Sequence, residues 1–204
     1  MNNAHRGAAA AALLSAAGLA CAQSYSESFN AISTPSPAWA SRNNSVPLGT
    51  NSGFAGNPNQ FPPQSSAGYI AANVNSTETG GTISNWMMTP ARVMTNGDTL
   101  QFWTRSMPGT TFPDRLQVRM STAGASTNVG SSATSVGDFT TLLLDINPNY
   151  ITGGYPEAWQ QYLVTVSGLS APTQGRFGFR YFVENGGPGA PRSTYIGIDE
   201  LDFI

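Results

Sequence analysis

The chain is predicted to be all-β: a two-sheet jelly-roll β-sandwich of about 8–10 antiparallel strands with little or no helix. Three observations predict this. Short segments carry apolar residues at strict period two, as in Phe177, Phe179, Tyr181 and Val183, the pattern of a strand with one buried face. Clusters of Gly, Pro and Asn punctuate those segments, among them Gly80-Gly81, Asn96-Gly97-Asp98 and Gly153-Gly154. No segment holds an amphipathic helical period over three turns.

Taken in order, residues 1–22 read as a secretory leader. His5 and Arg6 supply a basic start, residues 7–19 are small and mostly apolar, and Ala20-Cys21-Ala22 fits a small-x-small cleavage site. The apolar run is too short to span a bilayer, and no later run approaches that length, so no transmembrane segment is expected. Cys21 has a second reading as a lipidated cysteine. That signal favours a branched aliphatic residue three positions earlier, where Gly18 stands, so removal with the leader is the reading taken. The expectation is a secreted protein with one sandwich domain over residues 23–204 and no anchoring segment after Ile204.

The segment after the leader contains no cysteine, histidine or lysine. This excludes disulfides, thiol and Ser-His-Asp catalysis, and zinc or copper sites with thiolate or imidazole ligands. Eight arginines face eleven acidic residues there, a balance of −3 that argues against nucleic acid.

The elements follow. Residues 25–30 read as a short first strand, and Pro35 and Pro37 break the chain before Trp39. Residues 41–67, rich in Asn, Ser, Gly and Pro, read as a long ordered excursion with at most one short strand near Gly53-Phe54. Strands are then expected at 69–74, 82–89, 99–107, 115–122, 139–146, 159–167, 176–184 and 195–203. Leu116, Val118 and Met120 alternate with Arg115, Gln117 and Arg119, so one face is buried and one wet. Leu142-Leu143-Leu144 breaks the alternation and marks a bulge or a strand covered on both faces. Residues 123–137 form a Ser/Thr/Gly/Ala loop. The last two strands, around Asn185-Gly-Gly-Pro-Gly, look like a closing hairpin.

The motifs YFVENGGP and YIGID, with ESFN, SRNNS, YIAAN, TISNWMMTP and PDRLQVRMS upstream, resemble the choice-of-anchor J family, related to bacterial cleaved-adhesin domains. The resemblance covers residues 25–204 and implies a jelly roll without a defined molecular activity. It also implies a structural calcium between the terminal strands and a nearby loop, with Glu27, Asp199 and Asn43 as candidate ligands. The loop Ser41-Arg42-Asn43-Asn44 departs from the Asp-rich loop of the cleaved adhesins, and Glu27 and Asp199 have the alternative of pairing with arginines.

Candidate ligand contacts are Trp103, Arg119, Arg180 and Asn185. Arg105, Arg115, Arg119, Arg176 and Arg180, with Asp114 and Glu184, form either an anionic-glycan groove or a lattice of cross-strand ion pairs. Trp103 is the candidate sugar platform among four tryptophans, with Trp86 expected in the core; Asn185 sits in a loop at a sandwich end. The function expected is a non-catalytic secreted or cell-surface adhesion module that binds a glycan. A protein-interaction or matrix role is the alternative, and a hydrolase using a carboxylate pair such as Glu27 and Glu184 a lesser one. Partners are a glycan or surface protein, and a monomer is the default.

Overall fold

The computed structural model describes residues 24–30, 39–51, 59–65 and 67–204. The leader, Cys21 and the strand expected near Gly53-Phe54 lie outside the described residues. Twelve strands appear in chain order: β1 Tyr25–Glu27, β2 Ala40–Asn43, β3 Val46–Leu48, β4 Ile70–Asn73, β5 Thr77–Met88, β6 Arg92–Met94, β7 Thr99–Ser106, β8 Leu116–Ser121, β9 Thr141–Ile146, β10 Gln160–Thr165, β11 Thr173–Gly186 and β12 Tyr195–Phe203. The helical element among the described residues is one 3₁₀ turn, Val74–Ser76.

All pairings shown are antiparallel. The first sheet runs β1-β12-β7-β10, with β4 sharing the β12 edge beside β1. The second runs β2-β5-β11-β8-β9, with β3 on β5 and β6 on β11. The two inner faces form one core. Phe102 and Ile198 from the first sheet meet Phe179 and Val118 from the second, with Phe102 edge-on to Phe179 at 5.0 Å between ring centroids. Arg92 closes the open side, its guanidinium over Tyr25 at 4.5 Å and over Phe203 at 4.9 Å.

All eight expected strand segments contain a strand, and the terminal strands meet, Glu27 opposite Leu201. Three short strands, β2, β3 and β6, were not expected. Ser41, Arg42 and Asn43 show no apolar alternation because β2 lies at a sheet margin, where its pairing with β5 is carried by backbone bonds. The Leu142–Leu144 irregularity is a bulge against Val118 and Arg119 in an edge strand. The expected closing hairpin is corrected. β11 lies in the second sheet and β12 in the first, so residues 187–194 cross between sheets. A loop of that composition turns equally well within a sheet or across the gap; the strands already paired to each edge decide which.

Two segments without strand periodicity cover the outer faces. Residues 61–65 and 67–69 lie on the first sheet, where Phe61 stacks on Tyr69 at 4.9 Å and meets Trp159 edge-on. Gly197 lies beneath them, and a Cβ there would press on the rings of Phe61, Trp159 and Tyr69. Residues 123–139 lie over the second sheet, burying Val129 and Phe139 against Trp86 and Met88, with Ala133 buried as well.

Candidate ligand-binding site

The outer face of the second sheet gathers the arginines. On β11, Phe179 and Tyr181 point into the core, so Arg180 and Phe182 point out. On β8 the same alternation sends Gln117 and Arg119 outward, with Arg115 just before the strand. Cross-strand register then sets Arg180 opposite Gln117.

Phe182 lies between two guanidiniums, Arg180 at 3.8 Å and Arg115 at 5.1 Å from its ring centroid. Arg115 also reaches toward Tyr150, which Arg192 approaches at 3.9 Å and whose hydroxyl lies 3.4 Å from the Glu184 carboxylate. Arg115 forms a two-pronged pair with Asp145, at 2.9 and 2.7 Å. That partner raises the Arg115 pKa. Among the described residues, Arg119, Arg180 and Arg192 meet no carboxylate within ion-pair distance. Arg119 donates through Nε to Gln117 Oε1 and through Nη1 to the Phe139 carbonyl, and its Nη2 has no acceptor among the described residues. Burial, opposed by Asp145 and reinforced by Arg115, lowers the Arg119 pKa. Burial first, then Arg119 and Arg115, push Arg180 down to about 9. Four arginines, Arg115, Arg119, Arg180 and Arg192, thus share the strip with two carboxylates, Asp145 and Glu184, and positive charge is in excess.

The structure brings Arg119 and Arg180 together, both donating to Gln117 Oε1. It gives them different situations. Arg180 is 2 % exposed and bonds Ser84 Oγ and the Ala133 carbonyl, so it holds the covering segment, whereas Arg119 is half-buried at the surface. Arg105 and Trp103 lie apart on β7, on the first sheet. Trp103 is half-buried opposite Asp199, and Trp86 is fully buried. Asn185 is exposed, with φ +54, at the end of β11.

Glu27, Asp199 and Asn43 are not gathered into one ligand set. Glu27 is opposite the core residue Leu201 and so shares the inner face of the first sheet. Asp199 faces outward beneath the 61–65 segment, accepting from the Gln64 and Glu200 amides at 2.9 Å each. Asn43 sits in the second sheet with its amide bonded to the Asn51 and Ser76 carbonyls and its oxygen taken by Ser45. Glu27 and Glu184 are likewise on different sheets.

Burial raises the Asp199 pKa to about 6, its two amide donors pulling the other way. The folded carboxyl thus holds its proton more tightly than an unfolded aspartate. Its contribution is greatest below about pH 4 and is lost as pH rises through 6. The stability gap between wild type and Asp199→Asn is expected to shrink by about 2 kcal/mol between pH 4 and 7. Denaturant titrations at both pH values check this, and a gap of constant size would refute it.

Sequence reasoning missed Phe182, Tyr150, Arg192 and the 123–139 segment. Phe182 is legible as the out-of-phase aromatic of its strand, whereas Tyr150 and Arg192 come from loops whose approach no spacing encodes.

No protein-family model and no curated protein matches the chain. Among solved structures it is similar to the K1 cleaved adhesin domain of Lys-gingipain from Porphyromonas gingivalis, at 23 % identity and TM-score 0.61, over 89 % of this chain and 98 % of that one. The K3 domain gives 21 % and 0.58 over 88 % and 97 %, and the K2 domain 16 % and 0.59 over 89 % and 99 %. The chain has the fold of the cleaved adhesin domains, an antiparallel jelly-roll sandwich.

Proposed function

We propose that this is a non-catalytic extracellular binding module, and that the outer face of its second sheet holds an acidic saccharide. The observation that carries the reading is the net-positive strip formed by Arg119, Arg115, Arg180 and Arg192 around Phe182 and Tyr150, with Asp145 paired to Arg115 and Glu184 at the Tyr150 hydroxyl as its two acids. A uronate carboxylate or a sulfate supplies the missing negative charge and accepts from the free Nη2 of Arg119. Half-buried Tyr150 supplies an apolar wall beside it. The leader-like composition of residues 1–22 supports export.

The test is binding of the purified protein to uronate-containing, sulfated and neutral polysaccharides, in calcium and in EDTA so that the calcium expectation is read separately. Binding to an acidic polymer that weakens with salt is expected. Arg119→Ala and Arg192→Ala are each expected to weaken it by about 10- to 100-fold, the worth of a charge-assisted hydrogen bond. Equal binding by both variants, or preference for neutral polymers at this face, would remove the proposal. Binding to surface proteins alone would favour the protein-interaction role.

A further inference from the structure

The sandwich end where the chain crosses from β11 to β12 carries a groove of different chemistry. Two concavities, of about 400 and about 330 Å³, share Pro188 as a common wall. The first is bordered by Asn75, Glu78 and Thr79, the second by Val74, Phe112 and Ala190. The first concavity is of mixed polarity and the second is apolar. Phe112 is 45 % exposed and borders the apolar concavity. The Glu78 carboxylate and the Asn75 side-chain amide have no hydrogen-bond partner among the described residues. Among the described residues, no arginine borders either concavity.

The groove is held rigidly. The Gly187 amide donates to Ser193 Oγ at 3.0 Å, the Ala190 amide to the Gly187 carbonyl at 3.0 Å, and Thr79 Oγ1 to the Pro188 carbonyl at 2.6 Å. Gly187 has φ +102, and a Cβ there would collide with the Glu78 carbonyl, so the loop lies directly on β5. A ligand entering a loop already fixed in this way loses little affinity to ordering it.

We propose that this groove is a second saccharide site, taking one neutral hexopyranose. A pyranose has a C–H face and a rim of hydroxyl donors. The C–H face packs on Phe112 and Pro188, and the hydroxyls donate to the Glu78 carboxylate and to the side-chain Oδ1 of Asn75. Glu78 repels a uronate or sulfate, so the groove and the arginine strip select opposite ligands. The proposal rests on the reading of the domain as a saccharide-binding module.

Saturation-transfer NMR with the methyl glycosides of glucose, galactose and mannose tests it on the purified protein. Transfer to the ring C–H protons of at least one glycoside is expected. Phe112→Ala should weaken binding at least about tenfold, and Glu78→Gln several-fold. Both residues are exposed, so melting curves should be retained, and Arg119→Ala should leave transfer intact. Absence of transfer from all three glycosides, or transfer undiminished in Phe112→Ala, overturns the groove. Loss of acidic-polymer binding in Arg119→Ala is read independently and tests the strip alone.

Discussion

Replacing Arg180 with alanine is expected to cost about 3–4 kcal/mol of folding stability and to loosen residues 123–139 from the second sheet. The side chain is buried and links three elements: β5 through Ser84 Oγ at 3.1 Å, β8 through Gln117 Oε1 at 3.2 Å, and the covering segment through the Ala133 carbonyl at 2.5 Å. Its guanidinium also lies over Phe182 and Trp86. Truncation leaves the Ala133 carbonyl without its donor and opens a cavity above the Trp86 indole. Gln117 Oε1 keeps Arg119, and Ser84 Oγ keeps the Trp86 indole N–H, so those acceptors are not orphaned. Arg180→Met separates packing from charge. A methionine fills part of the space and removes a cation buried beside two others, so about half of the loss should be recovered. Denaturant midpoints with hydrogen exchange at residues 129–139 provide the readout. An Arg180→Ala variant with wild-type midpoint and unchanged protection would show that apolar contacts of Val129 and Phe139 suffice to hold the segment.

The second large effect is expected at Asp114. This carboxylate is fully buried at the sandwich end and accepts from the Tyr181 hydroxyl at 2.5 Å, the Thr194 amide at 2.8 Å and the Thr194 hydroxyl at 2.5 Å. It therefore ties β11 in one sheet to the residue preceding β12 in the other. Burial pushes its pKa up, while the Thr194 and Tyr181 donors pull it back. Asp114→Ala strands buried donors and is expected to cost about 3–5 kcal/mol. Asp114→Asn keeps the shape but turns an amide N–H toward a donor, and should cost less. Tyr181→Phe should cost less again in wild type and almost nothing in the Asp114→Ala background, because the shared bond is already gone. Additive losses would show that the two side chains stabilise the fold separately. Since Thr194 borders the end groove, Asp114→Ala should also weaken hexopyranose binding there.

The strand inventory was legible because burial of one face leaves a period-two trace in the sequence of each strand. The 195–203 segment coincides with β12 residue for residue, and 99–107 and 176–184 differ from their strands by a few end residues. Short marginal strands leave no such trace: β2 and β3 bury too little to require apolar residues. For the binding face, alternation correctly sent Arg119 and Arg180 to the non-core side of their sheet. It did not distinguish them, because alternation does not record what lies above a face. Arg180 is covered through Ala133, 47 positions away, and Arg119 is not.

The sequence alone determined the all-β class, the positions of eight strands, which residues alternate inward, and that residues 23–204 hold no cysteine, histidine or lysine. Those follow from local composition and period. The tertiary structure decided that β11 and β12 part to different sheets, that Glu27 and Asp199 face away from each other across one sheet, and that two irregular segments cover the outer faces. It also decided that Tyr150 and Arg192 join the arginine strip. These depend on contacts between segments far apart in the chain, where each partner's sequence satisfies its own backbone geometry and carries no mark of the other.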